Sequence, residues 1–297
     1  MPMITTPDGC RLHLDDGDAA AAAPPDGARG AVLIVHGLGE HGGRYDGLAA
    51  QLRRGGWAVQ RYDQRGHGRS GGPRGGLPAG SSLLADLGLV LAWLQASRAG
   101  RGQSGPLVLL GHSMGGLVAG RYVAEGLQPR PAPRWQPVQA LVMSSPALDP
   151  GMNGAQRLLL ALLGRLAPDL AVGNGLDPRW ISRDPAVVQA YRTDPLVHRK
   201  ISPRLVRFIV DEGRWLVSMA GRWTLPTLLM YAGADRCVAP GGSDEFAAAA
   251  PPAVLSTQRW DGLSHEIFNE PERAQVLQRL EQWLDARFPA PAAASAS

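Results

Sequence analysis

Residues 106–120 read Pro106-Leu107-Val108-Leu109-Leu110-Gly111-His112-Ser113-Met114-Gly115-Gly116-Leu117-Val118-Ala119-Gly120. An apolar run of strand type enters a G-x-S-x-G turn, and a helix-compatible run leaves it. On a strand–turn–helix of this kind the serine backbone is strained and its hydroxyl stands clear of the sheet. Gly111 and Gly115 flank Ser113 two residues away, where side chains would collide across the turn. G-x-S-x-G alone is a common chance pattern. The strand before it and the helix after it make Ser113 a candidate nucleophile.

The same rhythm extends in both directions. Upstream, residues 31–35 are a short, fully apolar strand of the type buried on both faces of a parallel sheet, and residues 57–62 read as the next strand. Helical spacing follows them at 45–54 and 81–98. Residues 3–15 hold a Pro7-Asp8-Gly9 turn and read as an edge hairpin, and residues 16–30 read as a loose surface loop. Downstream, strands are expected at 138–143, 227–231 and 254–260, and helices at 243–250 and 271–287. Alternating strands and helices predict a mostly parallel, doubly wound α/β sheet. Between 149 and 223 no clean strand is visible, and helical fragments are punctuated by Pro168, Pro178, Pro185, Pro195 and Pro203. The predicted organisation is a core at 1–148 and 224–288, a helical cap inserted at 149–223, and a disordered tail at 289–297.

Composition excludes several classes. With 44% hydrophobic and 19% charged residues, the 297-residue chain can bury a sizeable core and is not globally disordered. The net charge of +4 is carried almost wholly by arginine, Lys200 being the only lysine. The arginines are scattered and form no stripe interleaved with aromatics, so nucleic acid is not an expected partner. Weak attraction to an anionic lipid surface stays open. Cys10 and Cys237 are the only cysteines, and no C-x-x-C or Cys/His spacing of metal type occurs, so neither a metal nor a disulfide framework is expected. The first residues lack a basic segment followed by an apolar one, and no apolar run reaches membrane-span length. A cytoplasmic protein is the expectation.

A serine hydroxyl needs a base to accept its proton. In this architecture the acid and then the histidine follow the nucleophile in the chain. Of the seven histidines, His265 alone follows both Ser113 and the last strand. His198 lies in the predicted cap. The acid should end the preceding strand, as Asp235 does in Tyr231-Ala232-Gly233-Ala234-Asp235; Asp149 and Asp261 are its rivals. Asp235 would fix the imidazole tautomer and stabilise the imidazolium. The oxyanion donors should be the backbone N–H groups of Met114, next after the nucleophile, and of Leu38, in the His36-Gly37-Leu38-Gly39 loop after the 31–35 strand. His36 reads as a structural hydrogen bonder. This chemistry needs no cofactor.

Across nearly its whole length the chain resembles the monoacylglycerol lipase-like and lysophospholipase-like serine hydrolases of the α/β-hydrolase superfamily. The resemblance rests on His36-Gly37-Leu38-Gly39-Glu40-His41 with Arg44-Tyr45, on Asp63 with Gly66-His67-Gly68-Arg69-Ser70, and on the Ser113 turn. It continues through Ser182-Arg183-Asp184, Tyr191, Asp194-Pro195-Leu196, Gly233-Ala234-Asp235-Arg236 and Ser264-His265-Glu266. The segment around 181–196 is the more specific part. The resemblance implies a serine esterase that cleaves monoacylglycerol to fatty acid and glycerol through an acyl-enzyme. It implies an acyl chain lying under the cap and a glycerol end met by polar residues, for which Glu40, Arg44 and Tyr191 stand at matching positions. Glu40 and Arg44 could instead simply pair with each other. A lysophospholipase or general carboxylesterase is the alternative, with a peptidase or C–C bond hydrolase further off. The cap run Leu158–Leu163 reads either as a face for lipid, which would allow peripheral contact with the inner membrane face, or as an amphipathic helix packed on the core.

Overall fold

The computed structural model describes residues 2–15, 28–132 and 135–289. The predicted loop at 16–30 and tail at 289–297 therefore fall mostly outside the described residues. The chain builds one eight-stranded sheet. In chain order its strands are β1 (Met3–Thr5), β2 (Arg11–Asp15), β3 (Gly30–Val35), β4 (Trp57–Tyr62), β5 (Leu107–His112) and β6 (Ala140–Ser144), followed after an insertion by β9 (Thr227–Ala232) and β10 (Leu255–Trp260). Their spatial order is β1-β2-β4-β3-β5-β6-β9-β10. The first two pairings, β1–β2 and β2–β4, are antiparallel, and every other pairing is parallel. This is an α/β-hydrolase fold, with its crossover at the centre of the sheet, where β5 lies between β3 and β6.

The helices explain why the central strands read as unbroken apolar runs. All six residues of β3, β5 and β9 are buried, because helices cover both faces. One face is packed by α2 (Ser82–Gly100) and α3 (Met114–Glu125), with Leu87, Val90, Leu91, Leu117 and Val118 fully buried against Leu33, Leu109 and Leu141. The other is packed by α1 (Asp46–Arg54) and α8 (Arg273–Arg287), through Leu48, Leu52, Leu280 and Leu284 against Val32, Val108 and Leu228. Asp244 lies within α7 (Pro240–Ala249). There it accepts from Tyr231 Oη at 2.5 Å and pairs with Arg259.

The insertion between β6 and β9 carries α4 (Gly154–Leu166), α5 (Pro185–Thr193) and α6 (Pro203–Met219), with two-residue strands β7 (Val172–Gly173) and β8 (Lys200–Ile201) paired antiparallel. That small ribbon is absent from the sequence reading, since two residues leave no periodicity to detect. The insertion is anchored close to the sheet. His198 N–H donates to the Gly39 carbonyl at 2.8 Å. A Cβ on Gly39, whose φ is +78°, would stand 2.4 Å from the His198 carbonyl oxygen, so glycine is required there by both conformation and proximity. A Cβ on Gly213 of α6 would likewise stand 2.4 Å from the Leu148 carbonyl oxygen.

α4 behaves differently. None of its residues is buried, and Leu158, Leu159, Leu162 and Leu166 are between 54% and 73% exposed. Its run of leucines does not pack on the core. Among the described residues, no helix is long and apolar enough to cross a membrane.

Candidate active site

The site begins where β5 ends. Ser113 has φ +54° and ψ −122°, a conformation that costs a non-glycine residue on the order of 1–3 kcal/mol and persists only when its surroundings fix it. Here they do. A Cβ on Gly111 would lie 2.3 Å from the Gly115 carbonyl oxygen, and one on Gly115 would lie 2.1 Å from that of Val35. The turn is therefore tight enough, and close enough to β3, to admit only glycine at both places. Ser113 N–H donates to the Ser144 carbonyl of β6 at 2.9 Å, and the Ser113 carbonyl accepts from both Leu117 and Ala147 at 3.0 Å. Ser113 is pinned on three sides, and its side chain stays partly exposed.

The loop after β3 folds over this turn. A Cβ on Gly37 would stand 3.1 Å from the Ser113 Cβ. The backbone N–H groups of Leu38 and Met114 have no hydrogen-bond partner among the described residues; Met114 opens α3, where the first N–H groups have no carbonyl a turn earlier to bond. His36 holds the loop as a structural hydrogen bonder: Nδ1 lies 2.8 Å from the Gly37 carbonyl, and Nε2 accepts from Gln64 N–H at 2.9 Å.

His265 and Asp235 come together from the loops after β10 and β9. His265 Nδ1 lies 2.6 Å from Asp235 Oδ2. The other carboxylate oxygen, Oδ1, accepts from the N–H groups of Cys237 at 2.8 Å and Val238 at 3.1 Å, so the carboxylate is fixed from both ends. Burial pushes the His265 imidazole toward the neutral form, but the charge and hydrogen bond of Asp235, helped by Glu266 and Glu40, outweigh it and leave the pKa above the ordinary imidazole value. The rings of His112 and His265 lie 4.7 Å apart. Burial, with His265 nearby, pushes His112 down to about 4, so no second cation stands beside a protonated His265. The rivals of Asp235 lie elsewhere: Asp149 Oδ1 accepts from Gly151 N–H, and Asp261 pairs with Arg259. His198 is held by a hydrogen bond from Lys200 N–H to its Nδ1.

Glu40, Arg44 and Tyr191 form one cluster with Glu266, to which the sequence motif assigns no role. Arg44 Nη1 contacts Glu40 Oε2 at 2.7 Å and Glu266 Oε1 at 2.6 Å, while Nη2 contacts Glu266 Oε2 at 2.8 Å. Glu40 Oε1 accepts from Gly37 N–H and from Tyr45 Oη, both at 2.6 Å. The Arg44 guanidinium lies 4.8 Å from the centre of the Tyr191 ring in the insertion. Burial disfavours a Glu40 carboxylate, but Arg44 and neighbouring histidines win and hold its pKa at about 2. Arg44 thus joins the loop that packs on Ser113, the residue after His265, and the insertion. Removing one member of such a buried ionic set typically costs about 3–5 kcal/mol.

Glu270 is a residue that sequence reasoning missed. It is fully buried. Its Oε1 accepts from Ser182 Oγ at 2.8 Å and Arg183 N–H at 2.6 Å, and its Oε2 from Arg183 Nε at 2.7 Å and Ser264 N–H at 2.8 Å. One carboxylate therefore ties Ser182-Arg183 of the insertion to the residue before His265. Glu266 N–H adds a bond to the Ile181 carbonyl at 2.8 Å. A glutamate following the histidine by five residues has no motif of its own; only its partners, 87 and 88 residues away, give it meaning.

The model of the family described as "Serine aminopeptidase, S33" matches residues 26–272, and the chain belongs to that family of serine hydrolases. It is 34% identical to the monoacylglycerol lipase of Mycolicibacterium smegmatis over 88% of this chain and 90% of that protein. The crystal structure of Paleococcus ferrophilus monoacylglycerol lipase superposes with a TM-score of 0.76 at 32% identity, covering 96% of this chain and 99% of that one. An uncharacterized abhydrolase domain-containing protein of Dictyostelium discoideum is 32% identical over 86% of this chain, which spans only 26% of that longer protein.

The His265 environment is open to direct measurement. In an NMR pH titration, His265 is expected to titrate above the ordinary imidazole value. Asp235→Asn removes the main raising influence and leaves the desolvation, so the titration should move to lower pH. An unshifted His265 in that variant would show that Asp235 does not control it.

Proposed function

We propose that the chain hydrolyses esters of single-chain lipids, with monoacylglycerol as substrate, by a serine–histidine–aspartate mechanism. The observation that carries this reading is Ser113, held at positive φ against the Gly37 loop, in a fold that also supplies the Asp235–His265 pair. Ser113 Oγ attacks the ester carbonyl as His265 accepts its proton. The Leu38 and Met114 N–H groups receive the developing oxyanion; losing one such donor typically costs about 10²–10³ in rate. His265 then gives the proton to the leaving alcohol. It next activates a water that frees the fatty acid from the acyl-enzyme. Asp235 holds the tautomer and stabilises the imidazolium throughout.

Three features favour a lipid ester over a peptide. The relatives named above include two monoacylglycerol lipases. In the insertion, Ile181, Val188 and Tyr191 make an apolar cluster with Val187, Val197 and Cys237, next to the loop that bears Asp235. We read this insertion as the cap. Polar groups of Glu40, Arg44 and Tyr191 border the same region and suit the glycerol end, although Arg44 is already engaged by two carboxylates. This reading therefore has glycerol contact the outer edge of that cluster without displacing its ion pairs.

A substrate panel tests the reading. Long-chain monoacylglycerols should exceed acetyl esters, lysophospholipids and aminoacyl p-nitroanilides in kcat/KM by roughly tenfold or more, a factor within what a single added methylene in an apolar pocket supplies. Ser113→Ala should lose turnover on all of them. Equal rates on acetyl and long-chain esters would overturn the lipid reading, and a preference for the anilides would replace it with a peptidase.

The exposed leucines of α4 support peripheral contact with a lipid surface. An amphipathic helix with an exposed apolar face and basic flanks binds such surfaces by area and charge together, and α4 carries Arg157 and Arg165. Co-sedimentation with phosphatidylglycerol vesicles should deplete the wild-type protein from solution. The triple variant L158S/L162S/L166S should stay in the supernatant while keeping its rate on a soluble short-chain ester. Equal partition of the two proteins would contradict membrane docking through α4.

A further inference from the structure

The fold brings together a donor set that sequence spacing does not announce. Asp235-Arg236-Cys237 follows β9, and His265 follows β10. One ligand atom from each of Asp235, Cys237 and His265 lies within 4.8 Å of the other two. Cys237 is a free thiol. It is partly buried against Ile181, Val188 and Tyr191 of the insertion, so it shares the space beside the Asp235–His265 pair without taking part in the proposed chemistry. Arg236 is occupied elsewhere, its guanidinium 4.8 Å from the Trp180 ring centre. The carboxylate of Glu266, also nearby, is neutralised by Arg44.

A thiolate, a neutral imidazole and a carboxylate are the ligands that zinc and its borderline-soft neighbours take, whereas magnesium and calcium demand oxygen. The charges also balance, two anionic donors and one neutral one against a divalent ion. Zinc bonds of about 2.0–2.3 Å in a tetrahedron place donor atoms roughly 3.3–3.8 Å apart. The three donor atoms lie within 4.8 Å of one another, with the His265–Asp235 contact at 2.6 Å, so a bound ion would require the Cys237 sulfur to close in and that contact to part. Solvent would fill the fourth position.

We propose that Asp235, Cys237 and His265 form an inhibitory site for Zn²⁺ and ions of its class. Binding displaces one proton to solvent, from the Cys237 thiol, while the single proton of the neutral His265 imidazole moves from Nδ1 to Nε2. The imidazole is then bonded to the ion in place of Asp235 and cannot act as the base for Ser113. The loss of activity rests on the mechanism proposed above, while the binding itself does not.

The test uses the full chain, freed of metal by a chelator and then titrated. Co²⁺ reports binding through its visible bands and thiolate charge-transfer absorption, independent of turnover. Zn²⁺ is followed through hydrolysis of p-nitrophenyl butyrate. The wild type should show the thiolate band and lose activity reversibly, with EDTA restoring it. Cys237→Ala should lose the band and, measured against its own metal-free rate, need more Zn²⁺ for half-inhibition by about tenfold or more. Cys10→Ala should match the wild type. No band in the wild type, a band that survives Cys237→Ala, or equal Zn²⁺ sensitivity in Cys237→Ala and wild type would overturn the site. A band that depends on Cys237 in a protein without esterase activity would uphold the site and overturn the mechanism.

Discussion

The backbone of Ser113 is the constraint on which the rest of the site depends. A serine at φ +54° is not self-supporting. It is held because β5 is buried on both faces, because β3 approaches so closely that Gly115 can carry no side chain, and because Ser144 and Ala147 bond its N–H and carbonyl. The parallel sheet therefore does more than fill a core. It aims one hydroxyl at the carboxyl edge, where the loops after β3, β9 and β10 also emerge, and in the proposed mechanism those loops supply one oxyanion donor, the acid and the base.

Carboxylates bind these separate loops into one body. Glu40 fixes the Gly37 loop through its N–H and passes charge to Arg44; Arg44 passes it to Glu266, beside His265. Glu270 holds the other side of His265 and the insertion with the same side chain. The half of the insertion near residues 181–198 is thus part of the site's framework, bonded to both the Gly37–Gly39 loop and the His265 loop. α4, with no buried residue, is the half left to meet something outside. The division is physical: polar networks set geometry at the site, and unsatisfied apolar area faces outward.

Much of the fold was legible because each core strand carries its own signal. Residues 31–35 and 107–110 are apolar runs that only a doubly covered sheet explains, and strand order placed Asp235 and His265 in loops that meet, as they do at 2.6 Å. What escaped the sequence was of two kinds. The partners of Glu270 and the third member of the Glu40–Arg44 pair lie about 90 and 222 residues away, and pairing over such distances is a product of folding. The leucines of α4 have the same spacing whether they face a core or solvent, so periodicity could not choose between the two. Cys237 belongs to the first kind: a lone cysteine in sequence, one of three convergent donors in space.

The nucleophile can be tested most directly by reacting the protein with a fluorophosphonate and mapping the adduct by mass spectrometry. One adduct per chain, on Ser113 and absent from Ser113→Ala, is expected. An unlabelled wild type, or a Ser113→Ala protein that labels equally, would contradict the assignment.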